Sequence, residues 1–207
     1  MKIIGYFLFL FLVIGTMQLV KVVTHSISPS TLSEAAVQPD LLLSNSKQYF
    51  KEHAKSRGLF QLEKAIDAII EIEQDLDDES REKVEEAVSN LRELVEEMKH
   101  HNFDIDDLNS AFDRTLNALT YAELKVTEHF LETHQSTKAM LALKYGMVHI
   151  KNSLMYSTGK KKEYEINIYD EMDSLLESGQ LDNKEIIQKL ELMIEDLDNL
   201  EESPDSH

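Results

Sequence analysis

Between residues 105 and 155 apolar side chains keep to steps of three and four, and this spacing restricts the chain's fold more than any other feature. Ile105, Leu108, Phe112, Leu116, Leu119, Ala122, Val126 and Phe130 fall along one side of an α-helix. The pattern lapses over residues 132–138 and resumes at Met140, Leu143, Met147, Ile150 and Leu154. Beside this second run, Ala139, Ala142 and Gly146 form a stripe of small residues that lets another helix come close. Two readings compete. In one, residues 133–136 turn, Ser136 or Thr137 caps a new helix, and the two helices fold back on each other. In the other, a single helix runs through, with Thr133 and Thr137 at core-phase positions. The hairpin is preferred. A continuous helix would leave about two turns of seam without an apolar partner, although no Gly or Pro marks the break.

Similar seams flank this stretch. A short helix is expected over residues 45–57, with Tyr49, Phe50 and Ala54 on one face and Gly58 after its end. Residues 59–77 carry Leu62, Ala65, Ile66, Ile69, Ile70 and Leu76. A helix restarting near Ser80 presents Val84, Val88, Leu91, Val95 and Met98, a coiled-coil-like seam over two heptads. Asp104 or Asp106 is placed to cap the helix that follows. Residues 157–162 read as a turn carrying three lysines, followed by a helix from about Tyr164 with Ile168, Met172, Leu175 and Leu176 inward. Asp182 and Glu185 have the spacing of a capping box and open a last helix on Ile186, Leu190, Met193, Leu197 and Leu200. With 6 Gly and 3 Pro in 207 residues, the chain has few helix breakers. The fold expected is an all-α, up-and-down bundle of about five to seven helices, preceded by one N-terminal transmembrane helix.

That transmembrane expectation rests on residues 3–20, an uncharged run between Lys2 and Lys21 just long enough to cross a bilayer. A cleaved signal peptide is the competing reading, but residues 13–15 make a poor cleavage site. The expected division is a signal-anchor over residues 1–23, a linker over 24–44, the bundle domain over 45–202 and a disordered tail over 203–207. Lys2 and the α-amino group before the run, against Lys21 after it, lean towards a cytoplasmic N-terminus, which puts the bundle on the extracytoplasmic, periplasmic side of a single-pass membrane protein.

The net charge of −18 repels nucleic-acid phosphates and anionic head groups, so no nucleic-acid partner is expected. It suits a basic protein partner or cations. With no Cys, the chain has no disulfide, no thiol chemistry and no thiolate metal site.

Three constellations merit weighing. Glu123, Glu128, His129, Glu132 and His134 crowd one helix. A carboxylate-bridged metal site needs inward Glu-x-x-His pairs, and here Leu131 follows Glu128 by three and Gln135 follows Glu132 by three. A polar helix face explains the same residues. Asp75, Asp77, Glu79 and Glu86 fall at positions one, three, five and twelve of a calcium loop, but Ser80 replaces the required Gly and Glu82 an apolar residue. An acidic helix start explains these too. His149 could titrate near neutrality, and reads as a rim histidine. Met98, Met140, Met147, Met155, Met172 and Met193 sit at core phase and read as packing rather than a client groove. No phosphate loop, nucleophile elbow or zinc-protease motif occurs. The expectation is therefore a non-catalytic interaction or scaffold module without a cofactor. The alternative is a cation-binding or sensory bundle using Asp75, Asp77, Glu128, His129 and Glu132.

Overall fold

A computed structural model describes residues 30–100, 104–178 and 182–201. Over these the chain is helical, with seven α-helices and no strand among the described residues. They are α1 (Gln38–Lys51), α2 (Lys55–Glu73), α3 (Asp78–His100), α4 (Ile105–Glu132), α5 (Ser136–Ser153), α6 (Gly159–Glu177) and α7 (Asn183–Glu201). Each helix packs on the next, and α7 returns onto α4.

The seams set these contacts. Val84, Val88, Leu91, Val95 and Met98 are all buried along α3, as are Ile186, Leu190, Met193, Leu197 and Leu200 along α7. The central stretch is a hairpin, with α4 ending at Glu132 and α5 beginning at Ser136. His134 takes the place of the missing glycine. It stands in the left-handed region at φ 58°. The amide of His134 donates to the carbonyl of Leu131, and that of Gln135 to the carbonyl of Phe130. These two bonds are the paired closure of a Schellman turn. Neither Ser136 nor Thr137 caps α5; Gln135 precedes the helix and no side chain bonds its first amides.

α4 is buried on every side over residues 115–124. Its N-terminal half packs with α1, α2 and α3 in one hydrophobic core, which includes Leu62, Leu91, Leu108, Phe112 and Leu116. Its C-terminal half packs with α5, α6 and α7 in a second, around Leu124, Leu143, Ile168, Met172 and Leu190. The stripe of small residues on α5 does bring helices together. A Cβ built on Gly146 would lie 3.1 Å from Glu123 Cβ on α4 and 3.0 Å from Met172 Cε on α6.

Several boundaries differ from the sequence reading. Residues 30–44, read as linker, form two 3-10 turns and the first turns of α1. Pro39 stands in the first helical turn, where a missing amide is harmless, and Ala36, Leu42 and Leu43 are buried. Gly58 lies inside α2 rather than after α1, whose end His53 makes at φ 58° by the same turn as His134. The three lysines at 160–162 belong to the first turn of α6, not to a loop. Met155 is exposed rather than packed, because α5 stops at Ser153. The capping residues elsewhere are as read. Asp104 accepts from the amide of Asp106 at 3.0 Å, and Asp182 and Glu185 bond each other's amides at 2.8 and 3.4 Å. The run 3–20 and the tail 203–207 lie outside the described residues. No helix among the described residues is long and apolar enough to cross a membrane.

Candidate functional site

Two acidic stretches far apart in sequence meet at one cleft of about 620 Å³. One wall is the α2–α3 turn with Asp75, Leu76 and Asp77; the other is the last two turns of α4 with Lys125, Val126, Glu128, His129, Phe130 and Glu132. Thr31, from the turn before α1, closes one end. All five residues singled out as candidate ligands, Asp75, Asp77, Glu128, His129 and Glu132, therefore line the same space.

Their individual geometry explains what this space can hold. Asp77 caps α3: its Oδ1 accepts from the amides of Glu79 and Ser80 at 3.1 and 3.0 Å, and its Oδ2 accepts from the Ser80 hydroxyl at 2.6 Å. Burial pushes its pKa up, but the hydrogen bonds from Ser80 and Glu79 and the charge of Lys125 outweigh this and hold it below the usual carboxylate range. Asp75 accepts from the backbone amide of Ser30, which ties the start of the described chain to the turn. Lys125 stands between the walls, 3.5 Å from Glu128 and 3.7 Å from Glu79. Burial works against its charge, but these carboxylates prevail and raise its pKa. Glu86, the twelfth position of the supposed calcium loop, lies exposed well inside α3 and does not turn back to Asp75. Among the described residues no three His, Asp or Glu side chains are grouped to hold a metal ion. The cleft is thus an apolar floor of Leu76, Val126 and Phe130 under a mixed rim, in which Glu128 pairs with Lys125 and Glu132 is the least committed acid.

A second polar group lies inside the bundle. His149 is 1% exposed, not at a rim, and its Nδ1 is 2.7 Å from Asp40 Oδ2 at the start of α1. Asn152 donates to the other Asp40 oxygen at 2.7 Å. Next to this, Asp113 of α4 meets Lys161 of α6 at 2.7 Å, and Asn117 of α4 donates to Glu165 Oε1 of α6 at 2.9 Å. Burial, then the charge of Glu165, push the Asp113 carboxyl up to about 7, against the pull of Lys161. Glu123, with neither oxygen hydrogen-bonded, is pushed well above the ordinary range by burial alone.

Asp40, Asp113, Asn117 and Glu165 were not singled out from the sequence. A signal existed for Glu165, which precedes Ile168, Met172 and Leu175 at the same three-four-three spacing and so belongs to the buried face. For Asp113 and Asn117 it was weaker, because each follows a seam residue, Phe112 or Leu116, and reads as the edge of the buried stripe.

Comparison with protein-family models, with curated proteins and with solved structures finds no match.

Proposed function

We propose that this chain is a non-catalytic interaction module whose cleft between the α2–α3 turn and α4 receives a basic, apolar-flanked segment of a partner protein. The observation that carries this reading is the pairing of an apolar floor, Leu76, Val126 and Phe130, with the acids Glu128 and Glu132 in one cleft. Apolar side chains of the partner would cover the floor, and its lysines or arginines would meet the rim. The net charge of −18 steers such a segment towards the surface and disfavours acidic ones. In the same proposal, residues 3–20 anchor the chain and the bundle stands on the extracytoplasmic side.

The test is a titration of the full chain with fluorescent synthetic peptides that alternate Lys and Leu, against peptides with Glu in place of Lys. Basic peptides are expected to bind more tightly, more weakly as salt rises, and at least about tenfold more weakly to the double variant Glu128→Lys, Glu132→Lys, since two charge reversals exceed the ~1.4 kcal/mol that a decade of affinity represents. Equal binding of basic and acidic peptides, or binding indifferent to the double variant, would sink the reading.

A cation-binding role is the second reading, favoured by the convergence of Asp75, Asp77, Glu128, His129 and Glu132 on one cleft. It ranks lower because Asp77 already serves α3 and Asp75 already accepts from Ser30. Calorimetry of the full chain with calcium, zinc, iron and manganese decides it: heat that Glu128→Gln abolishes supports it, and no heat with any of the four ends it.

A further inference from the structure

Over the first two turns of α6, residues 159–165, the only buried side chain is that of Glu165. The apolar anchors of this helix, Ile168, Met172 and Leu175, come later. The start of α6 is therefore fastened by polar contacts: Lys161 to Asp113, Asn117 to Glu165, and Lys162 Nζ to the carbonyl of Leu154 at 2.7 Å. Three lysines in a first helical turn oppose the helix dipole, which favours anions there. Gly159, in the left-handed region at φ 60° with open space around its Cα, forms the hinge into the helix.

Asp113 and Glu165 are both buried and stand on facing helices, where Lys161, one turn before Glu165, bonds Asp113, and Asn117, one turn after Asp113, bonds Glu165. Asp113 Oδ2 is taken by Lys161 and Glu165 Oε1 by Asn117, which leaves Asp113 Oδ1 and Glu165 Oε2 with no donor. Two buried carboxylate oxygens without a donor on one helix–helix interface would both be satisfied by one proton between them.

We propose that the Asp113–Glu165 pair holds a single proton across the α4–α6 interface, and that losing it to solvent releases the first two turns of α6 from α4. With the proton present, the pair carries one negative charge, matched by Lys161. Without it, two negative charges face one ammonium in a buried site, and the segment that carries Glu165 has no buried apolar side chain to hold it. The cation bonded to the pair is Lys161. Ser153 of α5, whose hydroxyl donates to Asn117 at 3.3 Å, is uncharged. On α5, His149 and Asn152 are engaged by Asp40 of α1. Lys47 of α1 lies over the ring of Tyr156, 4.3 Å from its centroid. The phenol of Tyr156 is pushed up to about 12 by burial and by Asp40, so it stays neutral through this range.

Hydrogen exchange of the full chain, corrected for the intrinsic rate at each pH, tests this. Protection of residues 159–166 is expected to fall about tenfold per pH unit as the pH rises from the ordinary carboxylate range to the titration of the pair, the slope of one linked proton, and to level off above it. In Glu165→Gln the fall disappears, because Asp113 then pairs alone with Lys161. In Lys161→Met the fall continues to higher pH before it levels off, because the proton is bound more tightly without the ammonium. Infrared spectroscopy supplies a reading that needs no variant to fold well: wild-type protein at mildly acid pH shows buried protonated carboxyls, one of them lost on raising the pH through neutrality. Glu123 contributes a separate band, identified by its removal in Glu123→Gln. A pH-dependence shared by wild type and Glu165→Gln, or no carboxyl band lost through neutrality, overturns the proposal.

Discussion

His134 and His53 hold the left-handed backbone conformation at φ 58°, which a side chain makes costly by about 1–2 kcal/mol and glycine adopts freely. His134 is exposed and its ring has no hydrogen bond among the described residues, so glycine forfeits nothing there. We expect His134→Gly to raise stability by about 1 kcal/mol and His134→Val, β-branched, to lower it by more than that. Urea midpoints of the two variants check both signs. At Glu123 the expectation concerns pH. Its carboxyl is raised by burial, so the folded state keeps a proton that the unfolded chain releases above about pH 4.3. The stability this group contributes is complete below that pH and is lost as the pH climbs towards the folded-state value. Glu123→Gln removes the linkage, so its stability relative to wild type should grow by about 1.4 kcal/mol per pH unit from mildly acid conditions upward. A difference that stays constant between acid and neutral pH would show that Glu123 is ionised in the fold.

Among the elements, the α1–α2 hairpin depends on one close contact. A Cβ built on Gly58 would lie 2.7 Å from the Phe50 ring, and the Ser46 hydroxyl donates to the Gly58 carbonyl at 2.9 Å. Alanine is the better helix former by about 1 kcal/mol. Overpacking against an aromatic ring costs about 1–3 kcal/mol. The clash therefore wins, and Gly58→Ala is expected to destabilise by the order of 1 kcal/mol. Combined with Phe50→Leu, the same change should turn stabilising, which a double-mutant cycle in denaturant measures directly. This contact was hidden from the sequence because Gly58 reads there as a helix end. Nothing local says that it sits within α2 under a ring eight residues earlier. The α4–α5 turn was legible in part: the lapse of the seam placed it, while the residue that shapes it, His134, carried no glycine-like signal. The five cleft residues were named from two acidic stretches, but that both stretches face each other needed the packing of the α2–α3 turn on α4.

For the whole molecule, α4 belongs to two cores at once. A helix shared in this way couples the halves, since neither core keeps its apolar contacts if α4 leaves. Leu116 in the first core and Leu190 in the second are both fully buried. Each change to alanine is expected to cost about 2–5 kcal/mol and to shift one common transition rather than to split it. With no Trp in the chain, circular dichroism and tyrosine emission report it, Tyr156 from the first core and Tyr121 from the second. Two separated transitions in either variant would show that the halves fold independently.

The spacing of apolar residues was enough to determine the helical class, the seams of α3 and α7, and the capping at Asp104 and Asp182, because these depend on periodicity and on hydrogen bonds a few residues apart. Tertiary structure alone decided that α4 is enclosed on every side over residues 115–124, that Asp113 and Glu165 are buried on the facing helices α4 and α6, and that Asp75 and Glu132 share a cleft. The physical reason is range. Helix formation and capping are settled within one or two turns, whereas burial of a charge depends on which distant helix arrives beside it.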